Sequence, residues 1–565
     1  MLSSHVKNII SSKKFKYLVV GGWNTVFGYF VTIALFYLLR ENFNIVQIGI
    51  LSNILGISMS FSTYKIFVFK TKGNWLKEYI KSYLVYGISA IISIFLLWVL
   101  IELLELNIWI AQALSMITTV ILSYIGHKNI TFNDSSGTHY NRHINYWYLL
   151  LCVECVFVIY AVLFFKINAY LPPPFFYVID DTYMDFFHTN FWAYNEDRYI
   201  EWKSIYPVFI FLISKLITLE ECAYSTSFYL RACSISSIYY LFLSYFIGVL
   251  YCTAIIAKEV LRKEETVPYL KIFCAIFMVI LFNIHGFYAL ERGNYVVVAF
   301  MLLSMAIYYN KKIIITAILM TLVINIKQYL ILLIYGYFLK KQTLKLLVVF
   351  FSISLPSLIA LLFIREDYYG FILRNMTDFS SSGNMSKLQM IFNTVSIDSF
   401  RKFVTNPVVN SAYYENNKLI FNLTIAISII AKMVSLGVIL LLFIKNNILK
   451  EDFILFSILV ALFVFTDSPG AYSTILLLPF VGSLIKLNNN YILISLFLVF
   501  IPLEFPFIYN PGTYIMESFL SSETVEFRTY LTLGSLLRPV FMMILLFCLF
   551  FYLLQLKKGT RNEYA

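Results

Sequence analysis

Apolar runs of about 18 or more residues recur from one end of this chain to the other, and each is long enough to cross a hydrocarbon core of roughly 30 Å as a helix. Composition removes the alternative of a water-soluble globule. Of 565 residues, 60% are hydrophobic, 18% aromatic and 13% charged, with mean hydropathy +0.78, which leaves too little polar surface. The period-2 alternation of a membrane β-barrel is absent, so the spans are helical. The expected fold is an all-α polytopic membrane protein. Lys7, Lys13, Lys14 and Lys16 lead into a full-length span rather than a short apolar core with a small-residue cleavage site, so the first span is expected to be retained.

The formal net charge of +12 invites a nucleic-acid reading, but its distribution argues for a membrane. Basic residues collect in short connectors: Lys70, Lys72, Lys77 and Lys81; Lys128, Arg142 and His143; Lys258, Arg262 and Lys263; Lys311 and Lys312; Lys340 and Lys341; Lys557, Lys558 and Arg561. That is the asymmetry of cytoplasmic loops, which sets orientation. Spans are expected near 17–39, 47–67, 83–103, 108–126, 147–168, 233–257, 268–284, 294–309, 313–326, 328–339, 342–364, 420–445, 452–466, 470–486, 491–508 and 536–556, some too short to cross alone. Both termini then fall in the cytoplasm, and longer loops near 169–232, 365–419 and 509–535 face outward.

The seven cysteines do not read as a framework. Cys222 alone is expected in an outward loop, so no structural disulfide is expected. Cys152 and Cys155 have CxxC spacing inside an apolar run, where packing is favoured over redox chemistry.

Residues 17–132 carry an internal duplication. Tyr17-Leu18-Val19-Val20-Gly21 recurs as Tyr83-Leu84-Val85-Tyr86-Gly87, and Ser60-x4-Lys65-x3-Phe69 recurs as Ser123-x4-Lys128-x3-Phe132. Two helical hairpins result, each leaving through a Lys whose head can snorkel to lipid phosphate. The runs Phe15-Lys16-Tyr17-Leu18-Val19-Val20-Gly21-Gly22-Trp23-Asn24-Thr25, Tyr64-Lys65-Ile66-Phe67-Val68-Phe69 and His127-Lys128-Asn129-Ile130-Thr131-Phe132 resemble the GtrA-like family of four-helix membrane proteins. The resemblance implies a four-helix unit over 1–133 that handles polyprenyl-phosphate-linked sugars, with Asn24, Lys65 and Lys128 at the lipid carrier. The polar stretch 134–146 reads as a cytoplasmic linker. His139 and His143 sit four apart within it, but nothing supplies further ligands, so no metal site is expected.

The second unit, 147–565, places its polar residues unevenly. Its first outward loop follows Pro172-Pro173-Pro174 and carries Asp180, Asp181, Asp185, Glu196, Asp197 and Glu201 among aromatic residues. Carboxylates bind sugar hydroxyls and aromatic faces cover the apolar side of a sugar ring. If the donor is a sugar on a lipid phosphate, the leaving group is already an anion. Transfer then needs a carboxylate base for the acceptor hydroxyl and cations for the departing phosphate. Glu291-Arg292-Gly293-Asn294 lies at the end of one span, and Lys327-Gln328-Tyr329 interrupts an apolar stretch, a costly place for a charge.

Asp185-Phe186-x12-Tyr199, Tyr206-Pro207, Arg292-Gly293-Asn294, Lys327-Gln328-Tyr329 and Ser468-Pro469-x2-Tyr472, in that order, are similar to the GT-C superfamily, in its branch of polyprenyl-phosphate-sugar transferases. The similarity implies a bundle of about 12 membrane helices and an inverting transferase on the outer face. By motif position it assigns the base to Asp185, with Asp181 and then Asp180 as substitutes. It implies donor-phosphate contacts from Arg292, Lys327, Asn294 and Gln328, and substrate contacts from Glu291, Tyr199, Tyr206, Tyr329, Ser468 and Tyr472. Arg538 and the loop around Asp378, Ser386 and Lys387 are expected at the acceptor side. No cofactor is required, and a divalent cation is not indicated by the adjacent Asp180 and Asp181, which point to different faces of an extended chain.

The expected partners are a polyprenyl-phosphate-linked sugar, an envelope glycan or lipid-linked acceptor, the bilayer, and a synthase that makes the donor; nucleic acid is not among them. Joining a lipid-sugar carrier unit to a transferase raises the local donor concentration. The rival reading is a translocator of lipid-linked sugar without transferase chemistry, whose charges belong near the bilayer midplane.

Overall fold

The computed structural model describes residues 13–69, 75, 79, 93–94, 96–103, 105–126, 142–172, 175, 182–223, 235–262, 268–342, 370–371, 374–375, 418–466, 470–487, 489–509, 514–517, 524–527 and 530–556. Residues 343–364 of the span expected at 342–364, the linker residue His139, and Asp378, Ser386 and Lys387 lie outside them, while His143 is described only as backbone at the start of a helix.

The described chain is mostly helical. α1 (Lys13–Leu39), α2 (Ile45–Thr63, running into a π-helical turn at Tyr64–Phe69) and α3 (Ile108–Gly126) come first. α4 (Arg142–Asn168) begins inside the expected linker, and α5 (Met184–Tyr194), α6 (Val208–Ile217) and α7 (Glu220–Ala223) fold the loop that follows it. α8 (Ile235–Leu261), α9 (Tyr269–Leu281), α10 (Ile284–Glu291), α11 (Val296–Tyr308), α12 (Ile313–Ile326), a 3-10 stretch at Gln328–Leu333 and α13 (Ile334–Leu339) form the next group. The last group comprises α14 (Lys418–Lys445), α15 (Glu451–Phe465), a 3-10 stretch at Ala471–Phe480, α16 (Val481–Lys486), α17 (Asn490–Phe500) and α18 (Leu533–Gln555). Six of these helices are long and apolar enough to cross a membrane, or seven if α9 and α10 count as one bent span. The protein is a multi-pass membrane protein. The apolar sides of α1 and α14 stay exposed, with Trp23, Phe30, Leu38, Leu436, Leu440 and Phe443 all turned away from the body, as lipid-facing helices require.

Two expectations about the elements are corrected. The span expected at 268–284 breaks instead at Phe282–Asn283 and continues as α10 at a 46° bend. Asn283 is the cause: its side chain accepts the His285 backbone N–H at 3.1 Å, which starts a new helix rather than continuing the old one. The span expected at 491–508 stops at Phe500, because Pro502 cannot continue it, and β1 (Pro506–Tyr509) follows. β1 pairs antiparallel with β4 (Tyr530–Thr532) around the hairpin of β2 (Tyr514–Glu517) and β3 (Thr524–Phe527), so the loop expected at 509–535 carries short two-stranded ladders within a chain that is mostly helical, as expected.

Two apolar clusters hold the body together. The larger gathers α8, α9, α11 to α13 and α14 to α18, with Phe300, Phe456, Phe463 and Phe480 fully buried. The second joins the first helices to α4: Trp98 meets Tyr160 edge-on at 4.9 Å and stacks with Phe164 at 6.1 Å, beside Ile33, Val46, Leu503 and Phe505. Aromatic contacts of this kind contribute about 0.5–1.5 kcal/mol each beyond burial. α4 belongs to both clusters, through Trp147 and Leu150 on one side and Val153, Phe157 and Tyr160 on the other.

The loop between α4 and α8 has its own small core of Ala193, Tyr199, Val208 and Phe211. Arg198 sits over the Phe211 ring at 5.5 Å, and Asn375 donates to the carbonyls of Tyr199 and Ser204 at 2.8 and 3.1 Å. Cys222 in this loop is disulfide-bonded, against the expectation of no structural disulfide. Cys222 is buried on α7, away from the apolar runs that hold the free Cys152, Cys155, Cys252, Cys274 and Cys548.

Candidate active site

The site begins with the end of α10. Gly293 donates its N–H to the Leu290 carbonyl at 2.9 Å and Asn294 to the Ala289 carbonyl at 3.0 Å, the pair of bonds that closes a helix through a left-handed residue. Gly293 has φ +65°, and a Cβ placed there would lie 2.8 Å from the Phe186 Cβ and 3.1 Å from the Tyr183 carbonyl oxygen. Only glycine satisfies both the dihedral and the space. The closing turn points Arg292 and Asn294, on either side of the glycine, at one place.

That place is Asp185, in the first turn of α5. Backbone bonds strap the two segments together: the Tyr183 N–H donates to the Glu291 carbonyl at 2.7 Å and the Asp185 N–H to the Arg292 carbonyl at 3.1 Å. Tyr183 itself has φ 55°, so the strap turns the chain sharply just before Asp185.

The Arg292 guanidinium donates from Nη2 to Asp185 Oδ1 at 2.6 Å and from Nε to Oδ2 at 3.2 Å, a two-pronged charge-assisted pair. Asn294 Nδ2 donates to Asp185 Oδ2 at 2.6 Å and to the Tyr472 hydroxyl at 3.3 Å. The other end of that amide is fixed, because Asn294 Oδ1 accepts the Val296 N–H at 2.9 Å. Behind the site, Phe186 stacks on Tyr295 at 5.9 Å, and the Tyr295 hydroxyl shares a 2.8 Å hydrogen bond with Ser214 of α6. The Asp185 and Arg292 side chains are 14% and 18% exposed, so the pair is largely withdrawn from water but still reachable.

Lys327 completes the cluster from the break between α12 and the 3-10 stretch. Its Nζ lies 5.2 Å from the centre of the Tyr206 ring, and its charge acts on both Asp185 and Arg292. Tyr206 is held by Tyr199, whose hydroxyl donates to the Tyr206 carbonyl at 3.1 Å, and by Trp192, 5.9 Å away. Tyr472 is met edge-on by Tyr288 at 5.5 Å.

These environments set the charges. Burial works against ionisation of Asp185, but the Arg292 charge, the hydrogen bonds from Arg292 and Asn294, and Lys327 outweigh it and hold the carboxyl below its usual range. Burial also opposes the Arg292 cation, and Asp185 more than restores it, so the guanidinium stays charged. Burial pushes the Lys327 amine down to about 8; Asp185 resists that shift and Arg292 adds to it.

Of the residues singled out in the sequence, Asp185, Arg292, Asn294, Lys327, Tyr206 and Tyr472 converge. Tyr199 is fully buried behind Tyr206 and supports it instead of lining the site. Tyr329 lies close to Tyr206, while the Glu291 side chain faces Tyr183, on the strap. Gln328 follows Lys327, and among the described residues no hydrogen bond joins it to the cluster. Asp180, Asp181 and Ser468 lie outside the described residues. Arg538, expected at the acceptor side, is buried in the body and pairs with Glu504, a correction whose cause is its position within α18, facing a buried carboxylate. Sequence reasoning passed over Tyr288, which stands one turn before Arg292 on α10, and the Tyr183 strap, which has no local sequence signal. No group of three or more His, Cys, Asp or Glu able to hold a metal is found among the described residues.

In the first helices, Asn24 and Thr63 meet: Thr63 Oγ1 donates to Asn24 Oδ1 at 2.8 Å while the Asn24 Nδ2 is buried without a partner. Lys65, two residues after Thr63 on the π-helical turn, is buried with its Nζ 5.0 Å from the Trp75 ring. Lys128 lies outside the described residues.

Fold and site together define a multi-pass helical membrane protein with a carboxylate and two cations gathered at the end of a broken helix. Residues 16–132 match the family model of the GtrA/DPMS transmembrane domain, and a second, overlapping match spans residues 87–194. The second match reaches through α4 into α5, whose first turn carries Asp185. No curated protein and no solved structure matches the chain.

Proposed function

We propose that this protein is an inverting membrane glycosyltransferase of GT-C type that moves a sugar from a polyprenyl-phosphate carrier to an envelope glycan or lipid-linked acceptor on the outer face of the plasma membrane. The observation that carries the reading is the convergence of Asp185, Arg292, Asn294 and Lys327 on one partly open spot lined by Tyr206 and Tyr472. The GtrA/DPMS match supports the handling of polyprenyl-phosphate sugar by the N-terminal helices, which supply, flip or dock the donor. A disulfide at Cys222, in the loop that carries Asp185, favours an oxidising compartment on that side and so agrees with an outward site and cytoplasmic termini. We divide the chain at 1–133, 134–146 and 147–565, with α4 joining the first unit to the third.

In this reading the acceptor oxygen attacks the anomeric carbon from the face opposite the phosphate. The bond from that carbon to the phosphate oxygen breaks, the lipid phosphate leaves with the electron pair, and the acceptor proton passes to Asp185. Backside displacement inverts the anomeric centre. At rest Arg292 neutralises Asp185. The donor phosphate competes for Arg292, with Lys327 as the second cation, and that competition frees the carboxylate to act as base. No cofactor enters this step.

The reading is tested by supplying purified protein with a panel of radiolabelled polyprenyl-phosphate sugars and crude envelope glycan, against Asp185→Asn. The rival reading, a translocator of lipid-linked sugar, is favoured by a different observation, an ionisable cluster within the membrane body at Glu154. It predicts labelled lipid crossing liposomes with no transfer from any donor.

A further inference from the structure

A second set of ionisable side chains is buried at the end of α10 opposite the one that meets Asp185. Glu154 lies near the middle of α4, about 20 Å from either end at roughly 1.5 Å per residue. It is fully buried, and so are Glu504, His285 and Asn283, with Arg538 4% exposed. Charged groups at this depth are rare and are retained for a purpose more often than by accident.

Hydrogen bonding distinguishes the two carboxylates. Glu504 is satisfied: it pairs with Arg538 and accepts the Leu503 N–H at 2.7 Å. Arg538 is committed to Glu504 and, through Nε at 3.4 Å, to the Val499 carbonyl. Glu154 receives Asn283 Nδ2 at 3.2 Å on Oε1 and has the Ile284 backbone N–H beside its carboxyl, while Oε2 is buried and makes no hydrogen bond of good geometry. The groups that face it are Asn283 from the α9–α10 break, Glu504 from the chain after α17, Arg538 from α18 and Tyr245 from α8. His285 turns its Nε2 to the Val499 carbonyl at 3.3 Å, and the Tyr245 hydroxyl donates to Ile280 and Leu281. None of these donates to Oε2.

We infer that Glu154 is an intramembrane proton-binding site whose loading controls the seating of α10, the short helix that ends in Arg292. Oε2 takes up and releases a proton exchanged with water; nothing is oxidised or reduced. With the proton bound, the neutral carboxyl tolerates the absence of a cation partner and the presence of Glu504. Loss of the proton leaves a buried carboxylate held by the Asn283 amide and the Ile284 N–H but by no cation bonded to it, a costly state that draws further on Asn283 or on Arg538. Asn283 is the N-cap of α10, accepting the His285 N–H, so any rearrangement at Glu154 acts at the start of the eight-residue helix whose far end is strapped to Tyr183 and Asp185. A broken helix meeting a buried ionisable group is the arrangement through which membrane proteins couple ion binding to movement. The inference rests on this cluster and holds whether or not the protein transfers sugar.

Infrared spectroscopy of the full-length protein in lipid nanodiscs tests it directly, with native protein, E154Q, E154D and E504Q. The account predicts a protonated-carboxyl carbonyl band near neutral pH that disappears in E154Q, persists in E504Q and shifts in E154D, which carries the test should E154Q fail to fold. A second readout is hydrogen–deuterium exchange of 284–294: at alkaline pH native protein exchanges there several-fold faster than E154Q, and at acid pH the two agree. A spectrum that loses no protonated-carboxyl band in E154Q between about pH 5 and 9, or exchange in α10 that is identical in native and E154Q at every pH, overturns the proposal.

Discussion

Asp185 and Arg292 are joined twice, once through their backbones, at 3.1 Å, and once through a two-pronged side-chain pair with contacts of 2.6 and 3.2 Å. The pair couples the loop after α4 to the end of α10. Its geometry predicts that Arg292→Lys, which keeps the charge but not the fork, lowers transfer roughly 10- to 100-fold, about 1.4–2.7 kcal/mol. Arg292→Ala leaves Asp185 without its cation and lowers stability by roughly 3–5 kcal/mol. Transfer rates and thermal aggregation profiles of the two variants check this; Arg292→Lys at native activity refutes the paired geometry as a requirement.

Gly293→Ala tests whether the closing turn of α10 aims the site. The new methyl meets Phe186 at 2.8 Å in a backbone conformation that L residues disfavour by roughly 1–2 kcal/mol. Transfer is expected to fall more than stability does, because Arg292 and Asn294 flank the strained residue. Equal losses in both would reduce Gly293 to a packing role.

Lys327 gives the site a pH dependence. Its amine is pushed down to about 8, so the free protein loses this charge as pH rises past that value. Asp185 is held below its usual range and stays ionised through the same window. Donor KM is therefore expected to rise above about pH 8, with no acid limb between about pH 5 and 7. Lys327→Arg abolishes the alkaline rise, because a guanidinium keeps its charge. For folding the sign is the opposite of a salt-bridged lysine: the unfolded chain binds this proton more tightly, so the group adds stability as pH climbs from about 8 to about 10.

Tyr472→Phe removes the hydroxyl beside Asn294 Nδ2, 3.3 Å away, but leaves the ring against Tyr288. The Asn294 amide keeps its bond to Asp185, so transfer is expected to fall by only about 1 kcal/mol, roughly fivefold. Tyr472→Ala also removes the ring and is expected to cost several times more. Measured kcat/KM for the two variants separates the hydroxyl from the ring.

Much of this was legible in the sequence because hydropathy is local. α1, α8, α14 and α18 are long, predominantly apolar runs, and Lys327 announces itself as a charge between two shorter ones. The residues of the site could be named in order, yet not their mutual distances, since Asp185 and Arg292 are 107 positions apart. The break at Asn283 was invisible for the same reason: its amide serves Glu154, 129 positions earlier, and an asparagine inside an apolar run reads as a tolerated polar residue until that partner is seen. Arg538 misled because a basic residue near the start of a span suggests an aqueous face, whereas it answers the buried Glu504. The strands at 506–532 were missed because short two-stranded ladders carry almost no periodic signal.

The central claim is that Asp185 is the base of a sugar transfer from a polyprenyl phosphate. The direct test is transfer of radiolabel from such donors by purified native protein and by Asp185→Asn, at matched protein yield. The account predicts transfer by the native chain and a loss of at least about a hundredfold in the variant, the scale of a missing general base; transfer that survives in Asp185→Asn within a few-fold of native would contradict it.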